Sequence, residues 1–160
     1  MRKSSKILLV ICGALLVTAI ATYFDVQSQS KPDFPRQDAA TFLSNLAKAL
    51  MEEKTNTVMN YHFPDAVVAG RHLQTIRDAL QRGFSYVRDL KVEFRNLRYT
   101  RQGEQVILTT DVTASDETTV GQIYQQEVTI RLERRLVPKY RIFSAYEWKI
   151  TNIEAPNIPL

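Results

Sequence analysis

The stretch NYHFPDAVVAGRHLQTIRDAL, residues 60–80, contains both histidines of the chain, with Asp65 between them. An imidazole oriented by a carboxylate is the minimum unit of a general base, so His62, Asp65 and His72 are weak catalytic candidates. Nothing nearby supplies a nucleophile. The spacing H-x2-D-x6-H does not place three ligands on one helical face, so the sequence predicts no metal site.

Aromatic side chains near this stretch suggest a binding site as the other possibility. On a predicted helix, His72 lies about 80° from the centre of the apolar stripe, and Tyr86 lies on the same flank. With Tyr61 they could rim the mouth of a pocket, or they could be amphipathic residues at the edge of a core. The predicted ligand-binding residues are Tyr61, His72, Tyr86, Tyr124 and Trp148.

Three helices are predicted to position these residues. Apolar residues recur at three- and four-residue spacing over 38–53, with Asp38 as the N-cap. A short second helix follows, which Pro64 must end. The segment AVVAG predicts a brief strand with Gly70 as its turn, and a third helix spans about 71–88.

Long strands are predicted beyond the third helix. From Leu90 the apolar period changes to two, with a bulge near Asn96 and a hairpin turn at 102–103. Pro138 is predicted to break the chain before a last strand over 143–154. Because alternate side chains of a strand lie on the same face, the sequence predicts an inward face that consists of Val106, Leu108, Thr110, Val112, Tyr124, Gln126, Val128, Ile130, Leu132, Tyr146, Trp148 and Ile150.

The helix DAATFLSNLAKALMEE, the segment PDAVVAGRHLQTIRDAL and the strand YEWKITNIE carry a family resemblance. Together, over about 36–154, they resemble the nuclear transport factor 2-like superfamily, which includes ketosteroid isomerase and SnoaL-like polyketide cyclases. In the second segment, D-x-V-x-x-G precedes the third helix. The resemblance implies an α+β fold: three N-terminal helices packed on a curved antiparallel β-sheet, a cystatin-like cone.

The cone of this superfamily can be an enzyme, a ligand-binding protein or a structural partner, so the fold does not define the function. Isomerase chemistry requires a carboxylate base that projects into the cone. The inward residues named above contain no Asp, Glu or His. The charged residues Asp111, Glu127, Arg131 and Glu147 fall on the opposite face. The sequence therefore disfavours the isomerase mechanism.

The N-terminus predicts a membrane segment. A basic tail, 1–6, precedes an apolar run over 7–24 that is long enough to be a transmembrane anchor. The alternative is a signal peptide cleaved near Ala21. A polar, proline-bearing linker over 25–37 follows. Both interpretations place the remaining chain outside the cytoplasm, anchored to the inner membrane or secreted, because basic residues stay on the cytoplasmic side.

The charge distribution excludes a nucleic-acid-binding domain. The chain has 21 Lys and Arg and 17 Asp and Glu, but three basic residues precede the apolar run, which leaves 18 against 17 beyond it. Segment 71–101 concentrates eight of the basic residues against three acids. Such a segment could contact anionic lipid headgroups or an acidic partner, or it could be a solvated face.

These observations favour a non-enzymatic, membrane-anchored extracytoplasmic module. The domain is predicted over 38–154, with a C-terminal tail over 155–160. It would bind a small apolar ligand or a protein partner, as a homodimer through its sheet, and it would use no cofactor. The alternative is a small hydrolase or isomerase that uses a His/Asp acid–base in the cone.

Overall fold

The computed structural model describes residues 33–116, 122–140 and 143–156. Within these ranges the three helices are α1 (Arg36–Met51), α2 (Thr55–Asn60) and α3 (Leu73–Phe84). The six strands of the described residues are β1 (His62–Val68), β2 (Arg71–His72), β3 (Lys91–Gln102), β4 (Gln105–Ser115), β5 (Gln122–Tyr140) and β6 (Phe143–Glu154). The helices pack on a curved, mostly antiparallel sheet, which confirms the predicted α+β class.

Helix α1 begins two residues before its predicted start. Pro35 is the N-cap, with extended backbone angles, and its carbonyl accepts the N–H of Asp38 at 2.9 Å. The prediction that Asp38 caps the helix is therefore wrong. Asp38 lies in the first turn, where a negative charge is favourable beside the positive end of the helix dipole. The buried stripe of α1 consists of Ala39, Leu43, Leu46, Ala47 and Ala49.

Pro64 lies within β1 and does not end α2, which stops four residues earlier. The strand is longer than the predicted AVVAG segment. Pro64 is exposed, and the pairing of β1 with β6 changes register between His62 and Val67. A proline has no N–H for a ladder, so an irregular stretch of this kind accommodates it. Ala69 and Gly70, both with positive φ, turn the chain into β2.

The strands form one sheet in the order β2-β1-β6-β5-β4-β3. Strand β1 pairs parallel with β6, whereas β1–β2, β3–β4 and β4–β5 are antiparallel. The parallel pair is a departure from the fully antiparallel sheet that the sequence predicts. The predicted bulge is confirmed, because the register of β3 shifts between Arg95 and Arg98 and Asn96 has a φ of 54°. The hairpin turn at 102–103 is also confirmed.

Strands β4 and β5 direct the predicted residues to one face. The register places three pairs opposite each other: Val106 with Leu132, Leu108 with Ile130, and Thr110 with Val128. All six side chains are at most 5% exposed. The Thr110 hydroxyl donates a hydrogen bond to the Arg95 carbonyl at 2.6 Å, so this buried polar group is satisfied. These pairs, Ile150 of β6 and the buried stripe of α1 form the core.

Strand β5 continues through Pro138, so the predicted chain break there is wrong. Pro138 is exposed, which is compatible with its lack of a backbone donor. The described residues of Arg135–Glu147 fall in one compact unit, and those of Phe34–Arg134, together with Trp148 and the described residues after it, form the main unit. The predicted membrane segment, 7–24, lies outside the described residues. Within the described residues, no helix has the length and apolarity to cross a membrane.

Candidate functional site

A cavity of about 370 Å³ lies inside the main unit. Its walls come from α1, α3 with the loop that follows it, and the strands β1, β3, β4, β5 and β6. The described residues that line it are apolar with two exceptions, His62 and Tyr124. A volume of this size lies near the lower end of the range, about 300–1,000 Å³, that is typical of small-molecule sites.

Helix α3 supplies one wall of the cavity. It contributes five residues at helical spacing: Ile76, Ala79, Leu80, Gly83 and Phe84. This spacing is typical of a core-packing stripe, yet of these five residues Ile76 alone is buried, with 8% of its surface exposed. A Cβ placed on Gly83 would meet no atom within 4 Å. The apolar face of α3 therefore borders open space where a core helix would meet packed side chains.

His62 is buried at the start of β1, with 6% of its surface exposed. Its Nδ1 lies 3.0 Å from the carbonyl oxygen of Val58, in the last turns of α2. Because a carbonyl only accepts, Nδ1 carries the proton and the neutral ring leaves Nε2 as a hydrogen-bond acceptor. Burial lowers the pKa of His62, and this effect outweighs the bond to Val58, which raises the pKa. The imidazole is therefore neutral at pH 7.

Tyr124 supplies the second polar group of the cavity. It lies near the start of β5, opposite Ala114 of β4. Its hydroxyl is buried and has no hydrogen-bond partner among the described residues. Burial also raises the pKa of Tyr124, so the hydroxyl keeps its proton and can donate. A buried hydroxyl without a partner is unfavourable by about 1–3 kcal/mol.

The structure does not bring the three catalytic candidates together. His62 lines the cavity, whereas Asp65 and His72 are exposed and do not line it. His72 is the N-cap residue of α3, but its side chain forms no capping hydrogen bond. Within the described ranges, no group of three or more His, Cys, Asp or Glu side chains could hold a metal ion.

Tyr61 and Tyr86 also lie outside the described lining of the cavity. The ring of Tyr61 packs edge-on against Phe42, with 5.1 Å between the ring centroids. Tyr86 is 83% exposed in the loop after α3, between the lining residues Phe84 and Val87. Tyr61 thus contributes to the core, and Tyr86 projects into solvent beside the cavity wall.

Trp148 lies in a second aromatic cluster and does not line the cavity. Its ring centroid is 5.5 Å from that of Phe34. The guanidinium carbons of Arg101 and Arg134 lie 5.9 and 5.6 Å from the ring centroid, within the range of a cation–π contact. Tyr99 donates its hydroxyl hydrogen to the Phe34 carbonyl at 2.6 Å. Trp148 therefore fills space with the side chains around Phe34.

Ion pairs distinguish the basic residues of the sheet from those near α3. Four sheet arginines each contact a carboxylate: Arg95 with Glu93, Arg98 with Glu127, Arg131 with Glu154, and Arg134 with Glu104. Among the described residues, no such pair involves Arg71, Arg77, Arg82 or Arg88. Segment 71–88 therefore carries positive charge that no ion pair within the described part of the chain offsets, at positions that do not line the cavity.

Of the predicted ligand-binding residues, Tyr124 lines the cavity. The other lining residues, which include Phe94, Leu90 and Ile153, are apolar side chains that the sequence pattern places in an ordinary core. One signal was available in α3. Small residues at four-residue spacing, Ala79 and Gly83, interrupt its apolar stripe and leave room beside the larger ones.

Stability is expected to fall on mild acidification because of His62. The folded-state pKa of His62 lies below its ordinary value of 6.5, so the unfolded chain binds the proton first. The contribution of the neutral ring is complete above pH 6.5 and is lost as the pH falls through the folded-state pKa. Urea midpoints measured from pH 7.5 to 5.5 should decline for the wild type and decline less for His62→Gln. The exposed His72→Gln is the matched control, and equal slopes for wild type and His62→Gln would contradict the assignment.

No family model and no curated protein matches the sequence. Solved structures do match. A protein of unknown function with a cystatin-like fold from Nostoc punctiforme has a TM-score of 0.58 at 8% identity, over 82% of this chain and 98% of that one. A nuclear transport factor 2-like protein of unknown function from Pseudomonas putida has a TM-score of 0.58 at 10% identity, over 77% and 87%.

A larger protein contains the same architecture. Bd1075 from Bdellovibrio bacteriovorus matches with a TM-score of 0.58 at 14% identity, over 74% of this chain. The matched part covers 40% of Bd1075, so this chain is similar to one portion of that protein. Identities of 8–14% establish the fold alone. The helices, the strand order and these matches agree, and the chain has the nuclear transport factor 2-like, cystatin-like fold that its sequence predicts.

Proposed function

We propose that this protein is a non-enzymatic, membrane-anchored extracytoplasmic module that binds a small, largely apolar ligand in the cavity. The observation that carries the proposal is the nature of the lining: apolar side chains surround about 370 Å³, and the described polar groups are those of His62 and Tyr124. Ligand sites typically combine an apolar lining with a few polar groups that fix orientation.

The alternative, a hydrolase or isomerase, has weaker support. The described lining contains no carboxylate, and Asp65 is exposed elsewhere. His62 is held by a backbone carbonyl, without an orienting carboxylate, and its lowered pKa makes it a weak base. A binding role requires neither a general base nor a nucleophile. It is therefore compatible with the lining residues as they stand, whereas catalysis would require further reactive side chains.

Titration of the full chain with naphthalene in detergent micelles tests ligand binding. Naphthalene has ten carbon atoms, which fit the cavity volume. At about 0.6 kcal/mol for each atom, binding would contribute about 6 kcal/mol and give a Kd on the order of 40 µM. Calorimetry against empty micelles separates binding from partition into detergent. Heats equal to those of empty micelles would contradict the proposal.

The membrane anchor is supported by the apolar run over 7–24, which lies outside the described residues. The native protein is expected to remain in the membrane fraction after a high-salt wash, because apolar burial in lipid does not depend on salt. Recovery of a soluble fragment that begins at Thr22 would instead indicate a cleaved signal peptide.

The homodimer and a protein partner stay predictions. Arg98 and Arg131 form ion pairs on the sheet, so a partner that packs over these two residues would meet a polar surface.

A further inference from the structure

We propose that the end of β5 and the start of β6 bind the surface of the membrane that holds the anchor. The described residues 135–140 and 143–147 are called the β5–β6 arm. The inference rests on the proposed membrane anchor and adds a second contact between the domain and the same membrane. Its occupant is a bilayer surface with anionic headgroups, which suits the apolar and basic composition of the arm.

The arm is a two-stranded ribbon. Strands β5 and β6 are neighbours in the sheet. The pairing of β5 with β4 ends at Glu133, opposite Gln105, where β4 begins. The pairing of β6 with β1 begins at Ile150, opposite His62, the first residue of β1. In the part of the chain that the structure describes, the arm therefore has no third strand. Because a two-stranded ribbon is only marginally stable in water, the arm needs a surface to pack on.

Apolar residues predominate in the arm. Ranges 135–140 and 143–146 contain two basic residues, Arg135 and Lys139, and no acidic one. Seven of these ten residues are apolar or aromatic. Leu136 is 48% exposed and Pro138 is also exposed, so the arm presents apolar surface to solvent. Apolar and aromatic residues beside cations are typical of segments that lie at a membrane surface.

The tether from the membrane ends at the root of the arm. The ring of Phe34 packs against Trp148, the residue that directly follows the arm, with 5.5 Å between the ring centroids. Arg134 directly precedes the arm, and its guanidinium carbon lies 5.6 Å from the Trp148 ring centroid. The chain between the apolar run, which ends at residue 24, and Phe34 spans at most about 35 Å when fully extended. The tether therefore holds the root of the arm close to the bilayer.

Leu136→Trp tests the contact. The full chain is incorporated into lipid nanodiscs, and tryptophan emission is compared between brominated and ordinary lipids, because bromine quenches tryptophan only at close range. The wild type supplies the background from Trp148, the one tryptophan of the chain. Met51→Trp is the matched control. Met51 is similarly exposed, at 41%, but it ends the 16-residue helix α1, about 24 Å from its start. We expect several-fold greater quenching of Leu136→Trp than of Met51→Trp.

Lys139→Gln, added to Leu136→Trp, tests the preference for anionic lipid. A basic residue near an anionic surface raises the ratio of docked to undocked arm about fivefold, so Lys139→Gln should lower that ratio about fivefold in discs with about one third phosphatidylglycerol. In neutral phosphatidylcholine discs the substitution should have little effect. Lys48→Gln is the matched control, since it removes the same charge from an exposed position on α1 and should leave the quenching unchanged.

The outcomes separate this inference from the proposed anchor. If the chain stays with the discs at high salt and Leu136→Trp is quenched no more than Met51→Trp, the arm contact is wrong and the anchor stands. A blue-shifted but unquenched emission also overturns the contact, since it would place Leu136 against protein, such as a second copy of the chain. Equal effects of Lys139→Gln and Lys48→Gln would contradict the anionic preference. If the chain leaves the discs at high salt, the anchor is wrong, and so is this inference.

Discussion

Gly83→Phe is expected to abolish naphthalene binding. The Cβ position of Gly83 meets no atom within 4 Å, and the residue lines the cavity. A benzyl group at this position would project into the cavity and fill a large part of its roughly 370 Å³. The rings of naphthalene would then compete with the benzyl ring for the same apolar space.

Calorimetry of the variant in the same micelles provides the measurement, with a loss of at least tenfold in affinity expected. Gly83→Ala is the matched control, because it adds a Cβ to the same helical position and leaves most of the cavity open. Replacement of a helical glycine by alanine should itself stabilise the fold by about 0.5–1 kcal/mol. If Gly83→Phe is folded by circular dichroism and binds naphthalene as the wild type does, the ligand site lies elsewhere.

The alternation of apolar residues made the long strands predictable. In β4, residues Val106 to Val112 alternate, and the observed register places the same face inward. When one face of a strand must be buried, a period-two pattern determines which residues face inward. A shift of one residue would expose every apolar side chain. The bulge at Asn96 was predictable for the same reason, since the pattern changes phase there.

The pairing partners of the first strand could not be read from the sequence. Periodicity describes which face of a strand is buried, and it carries no information on which strand lies beside it. The parallel pairing of β1 with β6 is therefore a property of the tertiary fold. For the same reason, the sequence could not show that Pro64 lies within β1. Its position in that strand depends on an irregular register with β6. Within an isolated sequence, that proline predicts only the end of a helix.

The cavity could not be predicted from the sequence, although the apolar residues that line it could be recognised. An apolar stripe shows that a face avoids water, but it does not show whether the facing side chains fill the space between them. His62 illustrates the consequence. The sequence indicated His62 only as a weak catalytic candidate, whereas the structure buries it at the start of β1 and fixes its tautomer through the Val58 carbonyl. Tyr124 was predicted to face inward, but the missing partner of its hydroxyl depends on the tertiary packing.

Aromatic side chains occur both around the cavity and in the cluster around Phe34, but their packing differs between the two places. Around Phe34, the rings of Phe42 and Trp148 lie within 5.8 Å, centroid to centroid, and fill the space between α1 and the sheet. Around the cavity, Phe84 and Phe94 border open volume. Filled aromatic clusters contribute stability, and open ones provide binding surface. This contrast predicts that variants at the two places separate stability from ligand affinity.

Trp148→Ala is accordingly expected to destabilise the protein by about 3 kcal/mol, because it removes a large side chain from the filled cluster. Urea unfolding of the full chain measures the loss, which most domains of this size would survive. Naphthalene affinity at low temperature should stay within about twofold of the wild type, because Trp148 does not line the cavity. Trp148→Phe keeps an aromatic ring beside Phe34 and should be less destabilising. A variant that keeps its stability but loses naphthalene binding would place Trp148 in the ligand site, as the sequence predicts.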